Sequence, residues 1–236
     1  MKQTPLIFTD IPFTPDVDAL INMFASDDDS LAEEITDFVD DIKEQIHPKA
    51  IIKLVDITHD PLGNVSAIAG IPCRDSIVLN KNLAGIDLGA AYVITCGNEL
   101  EQIDCDGDPL KEYWLDSIKL QALGAAGRFL RENAPALLGT DKLAQINPGS
   151  LPQWPISEQD SLFEYIGGVT EAIGVRVSES HLMIPLKSGS GIMYPSDKHY
   201  ENCMVCTRLT CPNRRAEYDA HLAEEYGNGG CSAPNE

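Results

Sequence analysis

The chain has 236 residues, of which 43% are hydrophobic and 23% are charged, enough for one large folded domain or two small ones. It carries 37 Asp and Glu against 17 Lys and Arg, a net charge of -20, which argues against nucleic acid and anionic membranes as partners. No stretch has the length of a membrane span, and Pro and Asp interrupt the N-terminal apolar residues of "MKQTPLIFTDIPFTPDVD". We therefore expect a cytoplasmic protein.

The N-terminal part is predicted to be helical over 15–47, and we treat 1–48 as an N-terminal helical segment. Apolar residues recur at helical spacing in "SLAEEITDFVDDIKEQI". Ser30 followed by Glu33 has the spacing of a capping box at the start of this helix. The acidic residues on its other face are interpreted as a solvated surface.

The apolar, β-branched stretch 50–60 predicts a strand. A second strand is predicted at 64–73, and Gly63 and Asn64 favour a turn between the two. The sequence "RDSIVLNKNLAG" indicates a short helix ending at Gly85. The apolar run "AAYVITCG" predicts a buried strand over 90–97.

A long helix follows "DGDP". Asp108 can accept hydrogen bonds at its N-terminus, and Pro109 suits its first turn. Its apolar residues keep helical spacing, and we expect it to end near Glu132 because Pro135 disfavours helix before it.

The C-terminal half contains a proline-rich loop, "QINPGSLPQWP" (145–155), and a helix, "ISEQDSLFEYIGGV", with Ile156 and Phe163 expected inward. The sequence "HLMIPLKSGSGIMYP" predicts a strand, a Gly/Ser turn and a second strand. Strands and helices do not alternate regularly. This order predicts an α+β fold with a twisted antiparallel or mixed sheet flanked by helices, and a core over 49–200.

The segment "QINPGSLPQWPISEQDSLFEYIGGVTEAIGVRVSESHLMIPLKSGSGIMYP" resembles the activation domain of cobalamin-dependent methionine synthase. More closely, it resembles the stand-alone corrinoid-activation proteins of anaerobes. The resemblance extends over about 90–200 of this chain. The features that carry it are Pro148-Gly149, Leu162-Phe163, Gly174 to Ser180, Met183 to Pro185, and Ser188 to Gly191.

The resemblance implies a role in returning an inactive corrinoid to use. In the family, the domain binds S-adenosylmethionine in a shallow groove and presents its methyl group to a cobalamin held by a separate domain. The implied partners are a corrinoid-binding protein or methyltransferase domain and a low-potential electron donor. Cobalamin would be carried by the partner.

The resemblance places the groove at 145–150 and 187–194. The candidate cofactor-binding residues are Gln145, Asn147, Pro148, Gly149, Ser150, Glu179, Ser188, Ser190, Gly191 and Tyr194. The family has Arg three residues before the Pro and Tyr after the Gly, where this chain has Gln145 and Ser150. Gln donates only neutral hydrogen bonds and cannot replace the bidentate charged pair that Arg gives a carboxylate.

The segment 201–236 is rich in cysteine. The candidate metal ligands are Cys203, Cys206, Cys211 and Cys231. Four thiolates suit either Zn²⁺ or an iron–sulfur cluster, and we favour the cluster because a second Cys-x2-Cys pair is missing. His199, Cys105 or a water are alternatives to Cys231. Nearby basic residues, including Arg214 and Arg215, would offset the charge of such a cluster.

The other cysteines, Cys73, Cys96 and Cys105, are expected to be small buried apolar residues. No residue has the setting of a nucleophile or proton shuttle, so any catalysis would consist of positioning and electron delivery. Two alternatives stay open: a non-enzymatic binding module for a corrinoid methyltransferase with structural zinc, and an iron–sulfur electron carrier.

Overall fold

A computed structural model describes residues 4–26, 28–198, 200–211 and 214–227. Its strands are β1 (Leu6–Phe8), β2 (Lys49–His59), β3 (Val65–Ile68), β4 (Ile71–Pro72), β5 (Leu88–Thr95), β6 (Leu143–Ile146), β7 (Arg176–Val177), β8 (Met183–Ile184) and β9 (Ser188–Pro195). Seven of them form one antiparallel sheet in the order β4-β3-β2-β5-β9-β6, with β1 also paired to β2. The β7–β8 pair is separate.

Helices cover both faces of this sheet, which confirms the α+β prediction. They are α1 (Val17–Phe24), α2 (Asp29–Ile42), α3 (Ile77–Asn82), α4 (Pro109–Leu138), α5 (Gln159–Ile166), α6 (Val169–Ile173), α7 (Asn202–Val205) and α8 (Ala220–Glu225). Short 3-10 turns span 43–45, 99–102 and 156–158. None of the described helices combines the length and apolar character that crossing a bilayer requires.

The two faces of the sheet are set by the alternation of side chains along β2 and β5. Ala90 and Tyr92 pack toward α4, where Ala126 and Leu130 are buried against them. The intervening Ala91 and Val93 belong to the opposite cluster, which includes α5 and α6. The sheet is therefore the middle layer of the molecule.

The N-terminal helices α1 and α2 pack on the first half of α4, where Leu20, Ile35 and Val39 share a buried cluster with Trp114 and Ile118. The predicted capping box at the start of α2 is wrong. Asp28 is the N-cap, and its carboxylate accepts hydrogen bonds from the backbone of Ser30 and Leu31. The division of the chain at residue 48 stays a prediction.

The predicted end of the long helix is also wrong, because α4 continues through Pro135 to Leu138 and ends at Gly139 with φ 71°. Proline removes one backbone donor. The helix continues because Ala134 is fully buried and Leu137 and Leu138 pack against the α4 side of the sheet.

Three further predictions near the sheet are corrected. The stretch 64–73 is two strands, since Ala69 and Gly70 take positive φ values of 53° and 79° between them. Gln145 lies in β6, paired with Met193, and not in a loop. The Gly/Ser run at 188–191 is part of β9, paired with β5, and not a hairpin turn.

Candidate functional site

A cavity of about 340 Å³ lies between β5, β9, α4 and the loop that follows β6. It brings together segments that are far apart in the sequence. The lining residues are Tyr92, Ile94, Gly127, Leu130, Arg131, Gln145, Asn147, Pro148, Ile156, Gln159, Met183, Ser188, Gly189, Ser190, Met193 and Arg215.

The cavity exists because β6 pairs with only the C-terminal half of β9. The ladder between them runs from Leu143 opposite Pro195 to Ile146 opposite Ile192. The chain then leaves the sheet at Asn147, so β9 from Ser188 to Ser190 keeps β5 on one side and meets the cavity on the other. Backbone groups alternate in direction along a strand, so this edge offers donors and acceptors to a bound molecule.

Asn147 joins the walls of the cavity. Its side-chain nitrogen donates to the phenol oxygen of Tyr92 over 2.9 Å and also to the carbonyl oxygen of Ser190. Its side-chain oxygen accepts from the amide of Asn202 over 3.3 Å. Burial raises the pKa of Tyr92, while the Asn147 hydrogen bond and the charges of Arg215 and Arg131 act to lower it. The phenol thus stays neutral beside these two cations.

The serine hydroxyls of β9 are held by buried partners. Gln159, which is 1% exposed, donates its amide to the Ser190 hydroxyl over 2.6 Å. The Ser188 hydroxyl donates to Thr95 over 3.0 Å. Because the Ser190 oxygen accepts from Gln159, its own hydrogen is left to donate toward the cavity.

Glycine at 191 lets the loop after β6 come close to β9. A Cβ there would lie under 3.0 Å from the carbonyl oxygen of Ile146 and the side-chain nitrogen of Asn147. Gly149 has φ 78° and donates its N–H to the Trp154 carbonyl over 2.8 Å, which closes the loop. Both glycines therefore shape the wall, and neither lines the cavity itself.

The charge of the cavity is opposite to that of the protein. Among the described residues that line it, Arg131 and Arg215 are the charged ones, and no Asp or Glu contributes. The chain as a whole has a net charge of -20. Arginine in such a setting fits a carboxylate or phosphate group.

Five of the candidate residues predicted from the sequence line this cavity: Gln145, Asn147, Pro148, Ser188 and Ser190. The others lie outside its lining. Ser150 is exposed in the loop, and Glu179 is exposed near the tip of the β7–β8 hairpin. Tyr194 lies on the opposite face of the sheet and donates to Asn82 over 2.7 Å.

Sequence reasoning missed Tyr92, Arg131, Gln159 and Arg215 as site residues. Gln159 had a usable signal, because a glutamine at the start of an apolar helix face needs a polar partner once buried. The sequence predicts that Arg215 offsets the charge of a metal cluster, and the structure shows that Arg215 also lines the cavity. No sequence feature marked Tyr92 or Arg131 as a binding residue, because Tyr92 lies in an apolar strand and Arg131 in a long helix.

The cysteine segment is organised around Arg214. Cys203 lies in α7, and Cys203, Cys206 and Cys211 are all partly buried. Within 4–26, 28–198, 200–211 and 214–227, no three His, Cys, Asp or Glu side chains form a group that could hold a metal. Cys231 and His199 lie outside the described residues. The four-thiolate centre is therefore not formed by the described cysteines alone.

The remaining cysteines follow their predicted burial in part. Cys96 and Cys105 are buried, and burial raises the pKa of Cys96 to about 11. Cys73 is half-buried, with its sulfur 3.5 Å from the Tyr165 hydroxyl. Neither arrangement activates a thiolate.

A second cavity, of about 220 Å³, adjoins the first and shares Arg131, Gln145 and Met193 with it. Asp141 and Glu201 line this second cavity. The first cavity is lined by arginines and the second also by carboxylates. This distribution of charge suits a ligand that carries both a positive and a negative group.

Comparison with known proteins finds similarity to solved structures. No family model matches the chain, and no curated protein matches it. Thirteen chains of solved structures match, among them the crystal structure of the MetH reactivation domain bound to AdoHcy. That match has a TM-score of 0.54 and 15% identity and covers 80% of this chain and 73% of that one. The fold is thus similar to that of the MetH reactivation domain.

Proposed function

We propose that this chain binds a ligand of the S-adenosylmethionine class in the cavity and assists the reactivation of a corrinoid held by a partner protein. One observation carries the proposal. The segment 145–148, at the end of β6 and the start of the following loop, and the strand residues 188–190 line one cationic cavity. The family resemblance singled out both segments. The similar fold, seen with bound S-adenosylhomocysteine (AdoHcy) in the MetH domain, supports the same assignment.

The chemistry of the lining suits such a ligand. Ile156, Met183 and Met193 provide apolar and thioether surface on which a flat ring can pack. The Ser190 hydroxyl and the β9 backbone can hydrogen-bond to ribose or base atoms. Arg131 and Arg215 supply the positive charge that a ligand carboxylate needs, in place of the family arginine that Gln145 replaces.

The residues of the cavity would bind and orient the ligand without doing covalent chemistry. No lining residue among those described is a cysteine, histidine, lysine or carboxylate. The electron donor would reduce the partner's Co(II) to Co(I), which would take the methyl group from the sulfonium of S-adenosylmethionine, and S-adenosylhomocysteine would leave. The contribution of this chain would be to fix the ligand's geometry and to hold it at the surface that the partner meets.

Exposed leucines beside the cavity support a partner at this face. Leu182 and Leu186 are 48% and 72% exposed. Leu182 directly precedes Met183 and Leu186 lies two residues before Ser188, and both Met183 and Ser188 line the cavity. Apolar side chains at a cavity mouth are typical of surfaces that meet another macromolecule. A corrinoid-binding protein or methyltransferase domain is the partner we propose, with a low-potential reductant as electron source.

The proposal is tested by methyl transfer under anaerobic conditions. Free cob(II)alamin stands in for the partner's corrinoid, titanium(III) citrate is the reductant, and the S-adenosylmethionine carries a labelled methyl group. We expect the full chain to raise the rate of labelled methyl transfer, and excess AdoHcy to abolish the increase. Equal rates with and without the chain, together with no binding of S-adenosylmethionine, would reject the proposal.

The thiolate metal centre at Cys203, Cys206, Cys211 and Cys231 stays a prediction. The backbone N–H of Arg215 lies 3.5 Å from the Cys203 sulfur, a contact that sulfur ligands of metal clusters commonly accept. Iron, zinc and sulfide content after anaerobic purification, with Cys206→Ala as control, tests it. Metal lost in the variant supports the centre, and a metal-free wild type rejects it.

A further inference from the structure

The cysteine segment and the cavity are physically connected through two consecutive arginines. Arg214 is enclosed by the segment, and Arg215 lines the cavity. The sequence predicts that this segment binds a metal. Its contacts indicate that it also forms part of the groove.

Arg214 holds the segment in shape. Its Nη1 donates to the carbonyl oxygens of Cys203 and Ala216, and its Nη2 donates to those of Cys206 and Arg208. A guanidinium can do this because it presents several donors in one rigid plane, which a lysine does not. Four carbonyl groups from 203–216 are thereby gathered around a single side chain.

This arrangement fixes the position of the next residue. The Arg215 N–H points to the Cys203 sulfur, and its Nη2 lies 3.0 Å from the Glu201 carboxylate. The segment is also tied to the cavity wall, since Asn202 donates to Asn147. The backbone at Arg215 is thus fixed by Arg214 and Cys203, and the Asn202–Asn147 hydrogen bond fixes the segment to the cavity wall.

Arg215 has donors left for a ligand. Its one ion pair within the described residues uses Nη2, and the side chain is 47% exposed. A guanidinium has five N–H donors, so an edge stays available for two parallel hydrogen bonds to a carboxylate or phosphate. Arg131 faces the same cavity from α4, one turn after Gly127, which also lines it.

We propose that Arg215, positioned by Arg214, anchors the carboxylate or phosphate of the ligand that occupies this cavity. Arg215 is the binding residue and Arg214 is a positioning residue. The inference depends on the proposed function for the identity of the ligand. The expectation that the ligand carries an anionic group does not depend on it. The cysteine segment is then a wall of the ligand site, and its folding is required for anion affinity.

The first test compares two ligands by calorimetry on the full chain, AdoHcy and decarboxylated AdoHcy. We expect Arg215→Met to weaken AdoHcy binding by about tenfold or more, the scale of a lost charged hydrogen bond, and to leave the decarboxylated ligand within about twofold. Arg208→Met, an exposed arginine of the same segment, should change neither. An equal loss for both ligands, or no loss, overturns the assignment of Arg215.

The second test distinguishes the positioning of Arg215 by Arg214 from the effect of the positive charge of Arg214. Arg214→Lys keeps the charge of the segment but cannot gather four carbonyl groups. We expect it to weaken AdoHcy binding selectively while circular dichroism and thermal unfolding of the rest of the chain stay near wild type. Unchanged binding in Arg214→Lys would contradict the positioning role.

A third measurement separates this inference from the proposed function. Inorganic pyrophosphate serves as a probe that has no adenosyl group. If wild type fails to bind AdoHcy but binds pyrophosphate, and Arg215→Met loses that binding, the anion anchor stands and the adenosyl ligand is rejected. If wild type binds neither probe, both proposals fail.

Discussion

The side-chain amide of Asn147 donates to the phenol oxygen of Tyr92 over 2.9 Å, across the gap between the loop after β6 and the centre of β5. The same nitrogen donates to Ser190, and the amide oxygen accepts from Asn202. One side chain therefore joins the central sheet, the β9 edge and the start of the cysteine segment. The cavity depends on this connection.

Asn147→Ala tests the connection. The change leaves the buried Tyr92 hydroxyl and the Ser190 carbonyl without this donor, and we expect unfolding to become easier by about 1–3 kcal/mol. Ligand affinity should fall as well. Chemical denaturation measures the first effect and calorimetry the second. Asn133→Ala is the control, because that amide is exposed and bonds within its own helix to Phe129; equal effects of the two changes would contradict the role of Asn147.

Gly191→Ala should be strongly destabilising. The added Cβ would press on the backbone carbonyl of Ile146 and on Asn147, and a backbone atom inside a sheet cannot move aside cheaply. We expect a loss of about 2 kcal/mol or more in the free energy of unfolding, in the range of overpacked cores.

Gly124→Ala is the matched control for that prediction. Its Cβ would meet only the flexible end of Arg128, at 3.5 Å. Replacing glycine within α4 should raise stability by about 0.5–1 kcal/mol. If Gly191→Ala were as stable as Gly124→Ala, the close approach of the loop to β9 would be wrong.

Part of the cavity lining was predicted from the sequence, and the residues that were missed have physical causes. The loop at 147–148 and the serines of β9 were identified, whereas the Gly/Ser run was assigned to a turn. Glycine serves both turns and close backbone contacts, and the contact at Gly191 comes from Ile146, far away in the chain. Arg215 was missed because its position is set by bonds from Arg214 to backbone carbonyls, which leave no residue pattern.

Lys53 positions the helix that carries Gln159. Its ammonium group donates to the carbonyl oxygens of Tyr165 and Ile166 at 2.8 and 3.0 Å, at the C-terminal end of α5. Lys53→Met should lower the free energy of unfolding by about 1–3 kcal/mol, because these carbonyls lose a charged donor. Lys142→Met removes an exposed pair with Asp197 and should leave stability unchanged. Thermal unfolding of both variants checks the difference, and equal melting temperatures would contradict it.

The cysteines should differ in reactivity. Burial raises the pKa of Cys96 to about 11, so at pH 8 this residue holds almost no thiolate, which is the reactive form. Cys203, Cys206 and Cys211 are partly exposed and should react first with iodoacetamide. Raising the pH toward 11 should speed alkylation of Cys96. Mass spectrometry of timed samples gives the order, and early labelling of Cys96 at pH 8 would contradict its burial.

The same shift predicts how stability depends on pH. The unfolded thiol has an ordinary pKa of 9.0, whereas the folded value is raised. The contribution of Cys96 to stability is therefore complete below pH 9 and is lost as the pH rises toward 11. Cys96→Ala should fall less in stability than wild type between these pH values in chemical denaturation. Parallel curves for the two proteins would contradict the shift.

The central claim, that the cavity between β9 and the segment 145–148 holds an adenosyl ligand, is tested most directly by calorimetric titration of AdoHcy into three proteins. They are the wild-type chain, Met183→Trp, which fills the cavity, and Leu182→Trp, whose exposed side chain lies next to it in sequence but does not line the cavity. We predict saturable binding to wild type and Leu182→Trp and a loss of binding in Met183→Trp. Absence of binding to wild type, or undiminished binding to Met183→Trp, would contradict the account.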